Sequence, residues 1–326
     1  MKYELNHGAD KLQLVDYRNM SEAELVSVIN KLKKEKNALI LAHLYQPLAV
    51  QQVADFVGDS LMLSKKAKEN SAELIVFCGV DFMAESAKIL SPEKKVLLPE
   101  REASCPMANM CDAESLRGLK AEHPEAMVVT YINSTAEVKA ESDVIVTSSN
   151  ALKIINHFKD KKIIFTPDRN LGAYCQERTG ADMILWDGFC CVHDEMSVAD
   201  VYIAKQEHPN CLLLMHPEAP MEVLELADFI GSTNQIIDFV EESLDELSSE
   251  AGVIIGTEIE IARLLQKKHP DKAIYALADH AVCRQMKMVD LAKVAYCLDS
   301  ESGAMEVDPK VRAKALAALN KMLELS

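Results

Sequence analysis

Nine cysteines carry most of the chemistry this 326-residue chain could offer, at positions 78, 105, 111, 175, 190, 191, 211, 283 and 297. An odd number, with no apolar leader in the opening MKYELNHGAD, points to reduced thiols or metal ligands and away from a disulfide framework. Three share one spacing to a downstream Asp or Ser. Cys105 is seven residues ahead of Asp112, Cys190 seven ahead of Ser197 and Cys283 seven ahead of Asp290, whereas Cys191 misses by one. Asp and Ser accept hydrogen bonds from unpaired helix N–H groups, so each interval ends at a presumed helix start. The three are too far apart for a local Cys-x-x-Cys clamp and meet only if separate units bring them together. Three thiolates on zinc leave a coordination position free, and three on a cubane cluster leave one iron open to substrate. The same spacing would also arise if they were small apolar residues inherited in a repeated core. Cys78 and Cys211 in apolar strand runs, Cys175 and Cys297 in helical segments, and Cys111 beside a cap read as core or surface thiols.

The elements that would position such cysteines recur three times. Short β-branched runs alternate with amphipathic helical segments, the pattern of an α/β protein with parallel strands. Each unit opens with a capped helix and a strand: Ser21 before EAELVSVINKLKKEK and NALILAH, Asp112 before AESLRGLKAEHPE and AMVVTYIN, Ser197 before VADVYIAKQEHPN and CLLLMHP. A polar loop, a short helix and a second strand come next, ending in GDS (58–60), TSS (147–149) or GST (231–233). A third strand, loop and helix succeed them (VFCGVDFMAESAKIL, IIFTPDRNLGAYCQERTG, VIIGTEIEIARLLQKKHP), and a last strand runs to the cysteine. A threefold duplication is the simplest account. It predicts units over residues 1–111, 112–196 and 197–326, the last with additional C-terminal helices.

Bulk properties narrow the function. The 49% hydrophobic content suffices for a core, and no apolar run reaches the ~20 residues of a membrane-spanning helix, so a soluble, cytoplasmic protein is expected. A formal net charge of −16 disfavours nucleic acid as a partner and requires local donors for any anionic substrate.

The residues at these positions resemble those of the quinolinate synthase family. The matching stretches are ILAHLYQ (40–46), ADFVGDSL (54–61), GVDFMAESAKIL (79–90), CPMANM (105–110), YINSTAEVKA (131–140), VTSSNA (146–151), GFCCVH (188–193), HPE (216–218), GST (231–233), GTE (256–258) and CRQMK (283–287), in the family's order along nearly the whole chain. The resemblance implies three similar α/β domains with short parallel sheets, in a pseudo-threefold triangle around a central [4Fe–4S] cluster held by Cys105, Cys190 and Cys283. It implies condensation of iminoaspartate with dihydroxyacetone phosphate to quinolinate, phosphate and water in NAD biosynthesis, with the open iron as Lewis acid. A functional link to an L-aspartate-oxidising enzyme would accompany that reaction. Leu44 and Cys191 depart from residues often found in the family, and no Cys-x-x-Cys-x-x-Cys run lies beyond Cys283.

Two sets of residues would serve that reaction. Ser60, Ser148, Ser232 and Thr233 lie in the second-strand loops, where hydroxyls and helix starts suit anions, although helix capping alone would also place them there. At the ends of the first strands lie His43 and Tyr45, Tyr131 and Asn133, and His216 and Glu218, where ligands of parallel sheets tend to sit. His43, Asn133 and His216 are candidate carboxylate or carbonyl binders; Tyr45, Tyr131 and Glu218 are candidates for both proton transfer and binding. His193, three residues after Cys190, either supports the metal site and catalysis or belongs to the turn, and Lys287 and Met83 carry the same ambiguity. Rival readings are a diphthamide-synthesis-type enzyme cleaving S-adenosylmethionine, an iron–sulfur sensor, and a three-cysteine zinc hydrolase.

Overall fold

The computed structural model describes residues 12–243 and 251–326; the opening MKYELNHGAD, on which the expectation about a leader rests, lies outside them. Strands β1 (Ala38–His43), β2 (Phe56–Gly58), β3 (Leu74–Cys78) and β4 (Lys95–Leu97) pair in the order β2-β1-β3-β4. Strands β5 (Met127–Tyr131), β6 (Val144–Val146), β7 (Ile163–Thr166) and β8 (Met183–Leu185) repeat that order as β6-β5-β7-β8. Strands β9 (Cys211–Met215), β10 (Phe229–Ile230), β11 (Gly252–Gly256) and β12 (Ile274–Ala276) repeat it again as β10-β9-β11-β12. Every pairing between these strands is parallel. The protein is α/β with three similar four-stranded parallel sheets, as the sequence pattern implies. The central strands β1, β3, β5, β7 and β11 are buried along their whole length, which is why they read as near-continuous apolar runs.

The duplication extends to single hydrogen bonds. An aspartate just before each second strand returns a carboxylate oxygen to the first: Asp55 accepts from Ile40 N at 2.8 Å, Asp143 from Val128 N at 2.8 Å and Asp228 from Leu213 N at 2.7 Å. Their own N–H groups donate to the carbonyls of the same three residues. The helix starts are also as expected. Ser21, Asp112, Ser197 and Asp290 each accept, through the side chain, from a backbone N–H two or three residues on.

The last two helices cover other units. Helix Leu291–Ser300 packs against helix Glu22–Glu35 and β3 of the first sheet, and helix Pro309–Leu325 against helix Ala136–Ala140 and β6 of the second. Between them Gly303, at φ +78°, brings its backbone so close to Leu98 that a Cβ would run into the Leu98 carbonyl. Among the described residues no helix is long and apolar enough to cross a membrane.

Because the three aspartate bonds are distant and independent, their losses should add. Each of Asp55→Ala, Asp143→Ala and Asp228→Ala is expected to cost about 1 kcal/mol, and the triple variant about 3. Thermal unfolding followed by circular dichroism checks this; a triple variant that melts with the wild type would show that these carboxylates do not anchor the crossovers.

Candidate active site

Three cysteine loops are pinned in the same way. The residue opening the third-strand loop donates its N–H to the carbonyl two positions before the cysteine: Asp81 to Ala103 (2.9 Å), Arg169 to Gly188 (2.8 Å) and Ile259 to Ala281 (2.9 Å). Four residues beyond each cysteine the chain donates back to its carbonyl, from Asn109 to Cys105 (3.3 Å), Asp194 to Cys190 (2.8 Å) and Lys287 to Cys283 (3.2 Å). Each sulfur also receives the N–H of the residue three further on: Ala108, His193 and Met286. These bonds put Cys190 in register with Cys105 and Cys283; Cys191, beside it, is exposed. Gly188 is required by the close approach, since a Cβ there would meet the Pro167 carbonyl at 2.5 Å.

The three thiols line a single cavity. Burial pushes all of them up, Cys283 to about 11, and the neighbouring cysteines add to the effect at Cys105 and Cys190. Such groups are inert as free thiols; a bound metal would reverse the balance by stabilising the thiolates. Sulfur donors in a dry pocket, each already supplied with a backbone N–H, are a set that fits a thiolate-bound metal group. Glu258 braces the third loop. Its Oε1 accepts from Cys283 N at 3.1 Å and lies 2.8 Å from Lys287 Nζ, which also donates to the Tyr45 carbonyl at 2.6 Å.

Beside the thiols runs a continuous line of hydrogen bonds drawn from all three units. Tyr45 Oη lies 2.8 Å from Thr257 Oγ1, which lies 2.9 Å from His193 Nε2. His193 Nδ1 is 2.8 Å from Glu218 Oε2 and 3.2 Å from Cys190 Sγ, and the Tyr131 hydroxyl donates to Glu218 Oε1. Burial opposes charge on Glu218, but His193 and the hydrogen bonds from His193 and Tyr131 outweigh it and hold the carboxyl below its ordinary range. With the His193 Nδ1 proton directed at that carboxylate, Nε2 is left to accept from Thr257. Burial, and next the charge of Glu218, pushes both Tyr45 and Tyr131 well up, so both are phenols.

Neutral donors pack against this line, His43 edge-on to Tyr45 and His216 stacked on His193, each with ring centroids 4.6 Å apart. His43 Nδ1 accepts from Tyr45 N at 3.1 Å, and His216 Nδ1 accepts from Glu218 N at 3.4 Å, the same i to i+2 bond in two units. Each ring therefore carries its proton on Nε2. Burial lowers both to about 3, so they stay neutral at physiological pH. Ser60, Ser148, Thr233 and Asn133 line the same cavity, and no lysine or arginine does so among the described residues. Two buried oxygens there, Asn133 Oδ1 and Thr147 Oγ1, have no partner among the described residues.

The family model described as Quinolinate synthetase A protein matches residues 27–324. A quinolinate synthase of Caldicellulosiruptor bescii is 52% identical over 302 residues, covering 92% of this chain and 98% of its own. One of Clostridium perfringens is 50% identical over 298 residues (91% and 97%), and one of Methanosarcina barkeri 46% over 304 (93% and 98%). The chain belongs to the quinolinate synthetase A family.

In this member of the quinolinate synthetase A family, the residues expected from sequence fall into two groups. Tyr45, Tyr131, His193, Glu218, His43, Asn133, His216, Ser60, Ser148, Thr233 and the three cysteines share the cavity wall. Ser232 does not: it is fully buried, 2.9 Å from Ser149 Oγ, and its own Oγ accepts from Gln235 N. The first-strand and second-strand positions alone miss Thr257, which completes the line to His193, and Glu258. Both stand in the GTE stretch, and the third-strand loops that carry them are as visible in the repeat as the other two. The equivalent of Glu258 in the second unit, Asp168, is buried, caps helix Arg169–Thr179 through Oδ1 and leaves Oδ2 without a partner among the described residues.

The two neutral rings give a direct check. In ¹⁵N–¹H spectra of the imidazoles, His43 and His216 should show a protonated Nε2 and no titration between about pH 5 and 8, because values near 3 leave the cation unpopulated there. A ring that charges near pH 6 would contradict this arrangement.

Proposed function

We propose that this enzyme condenses iminoaspartate with dihydroxyacetone phosphate to give quinolinate, phosphate and water, using a [4Fe–4S] cluster held by Cys105, Cys190 and Cys283. The observation that carries the reading is that the three matched thiols, the line from Tyr45 to Tyr131 and a wall of neutral donors all face one cavity. When bound, the cluster supplies a Lewis-acidic iron with no fourth cysteine.

The protein's own residues would do the rest. Nε2–H of His43 and His216, the hydroxyls of Ser60, Ser148 and Thr233, and the Asn133 amide hold carboxylates and phosphate without adding positive charge. Ring formation requires protons to leave a carbon beside a carbonyl and to reach departing oxygen. The Tyr45 hydroxyl lies 2.9 Å from Thr233 Oγ1 and 2.8 Å from Thr257 Oγ1; as a phenol it accepts a proton on its oxygen while passing its own to Thr257 and so to His193. Glu218 stabilises the imidazolium that results, in the manner of a Ser-His-Asp triad. Tyr131 donates to Glu218, so it can protonate a leaving hydroxyl only as Glu218 passes it a replacement proton taken from the His193 imidazolium. The overall reaction has no net oxidation, so no electron carrier is needed.

Anaerobic purification followed by iron and sulfide analysis and a quinolinate assay tests the reading. Cys105→Ser, Cys190→Ser and Cys283→Ser should each lose iron and sulfide, while Cys191→Ser and Cys297→Ser keep both. Glu218→Gln should retain the cluster and lower kcat by about 10² to 10⁴, and Thr257→Val should lower kcat more than it raises KM. Full turnover in Glu218→Gln would remove that carboxylate from the chemistry, and a cluster surviving Cys283→Ser would remove that ligand.

A further inference from the structure

The cavity-facing hydroxyls of the three second-strand loops each neighbour a residue that bonds across to another unit. Ser149 Oγ, next to Ser148, lies 2.7 Å from Asp59 Oδ2 and 2.9 Å from Ser232 Oγ. Asp59 precedes Ser60 and Ser232 precedes Thr233, so this one hydroxyl joins the loops of all three units. A carboxylate only accepts, and Ser149 Oγ is the donor toward both neighbours, so its single proton is shared between Asp59 Oδ2 and Ser232 Oγ. Each end is rooted in a helix start, Asp59 Oδ1 accepting from Met62 N at 2.9 Å and Ser232 Oγ from Gln235 N at 3.3 Å. The middle is rooted through Asn150. Its Oδ1 accepts from Thr147 N at 2.7 Å, and its Nδ2 donates to Ser326 Oγ at 2.7 Å, at the end of the last helix.

Asp59 is out of place electrostatically. It lines a cavity whose donors suit anions, where no lysine or arginine among the described residues offsets its charge. A like charge weakens anion binding, so its presence requires a compensating gain. Fixing Ser149 is such a gain, because a charge-assisted bond to a buried carboxylate is about twice as strong as a neutral one.

We infer that Ser149 is a positioning residue, a latch through Asp59 and Ser232 that holds Ser60, Ser148 and Thr233 in one frame around a phosphate or carboxylate. The inference rests on the proposed anionic substrates. It deepens that reading by assigning the cross-unit alignment of the donors to a residue that touches no substrate.

The test uses anaerobically purified holoenzyme: wild type, Ser149→Ala, Ser149→Thr, Asp59→Ala and the double variant Ser149→Ala/Asp59→Ala. Iron and sulfide content, KM and kcat, and calorimetric binding of dihydroxyacetone phosphate are measured on each. Iron and sulfide should stay at wild-type levels. In Ser149→Ala, KM and Kd for dihydroxyacetone phosphate should rise about tenfold, with a smaller fall in kcat. Ser149→Thr, which keeps the hydroxyl, should recover most of the loss, and the double variant should be no worse than the poorer single one. Wild-type KM and Kd in Ser149→Ala, a double variant with fully additive losses, or loss of iron from Ser149→Ala would each overturn the latch while the functional reading stands. Wild-type protein that makes no quinolinate from the two substrates and binds no dihydroxyacetone phosphate would overturn both.

Discussion

One backbone hydrogen bond per unit, from the start of the third-strand loop to the carbonyl two residues before a cysteine, fixes each cysteine loop on its own sheet in the same way, so that packing of the three units brings three sulfurs to one cavity. The cysteines lie far apart in sequence, and none has a nearby partner that could fix it locally. Each is instead delivered by the carboxyl end of its own sheet, through the same bond at 2.8 or 2.9 Å. Parallel sheets place their loops at those ends, and the strand order repeats without variation in all three units. The loops that carry the tyrosines, histidines and hydroxyls leave the same ends, so positioning the sulfurs positions the rest of the cavity.

The cavity solves an electrostatic problem set by the composition. A chain of net charge −16 must attract small anions, yet the cavity wall contributes Glu218, Glu258 and Asp59 and no lysine or arginine among the described residues. Its donors are neutral and aimed, with two histidines held in one tautomer by backbone N–H groups and hydroxyls supplied by three loops. Aimed dipoles in a dry site interact more strongly than the same groups in water and need no reorganisation when charge moves during reaction. Neutral donors also leave the ionised Glu218 to its bonds with His193 and Tyr131, for which a lysine on the wall would have competed.

Much of this is legible in the residues alone. The threefold alternation of strands and helices, the capped helix starts and the correspondence of Cys105, Cys190 and Cys283 come from element spacing, because a repeated unit preserves intervals even where it preserves few identities; the order of strands within each sheet does not. The interval of seven residues to the next cap separates Cys190 from Cys191, and the hydrogen bonding of their loops agrees. Thr257 and Ser149 stand in stretches that the repeat and the resemblance mark, GTE and VTSSNA, but their roles are not legible there. Their significance lies in contacts between units, Thr257 with Tyr45 and His193, Ser149 with Asp59 and Ser232, and periodicity within one unit carries no information about those. Ser232 is misplaced by sequence for the same reason, since a hydroxyl beside a helix start points at substrate or at a neighbouring loop with equal local sense.

The packing of the last two helices has a consequence for how far the sheets could part. Helix Leu291–Ser300 comes after the third cysteine at the interval that elsewhere begins a new unit, yet it lies on the first sheet, beside helix Glu22–Glu35, and helix Pro309–Leu325 lies on the second. The segment beyond Cys283 thus straps the third sheet to both others, and any widening of the cavity has to carry those helices with it.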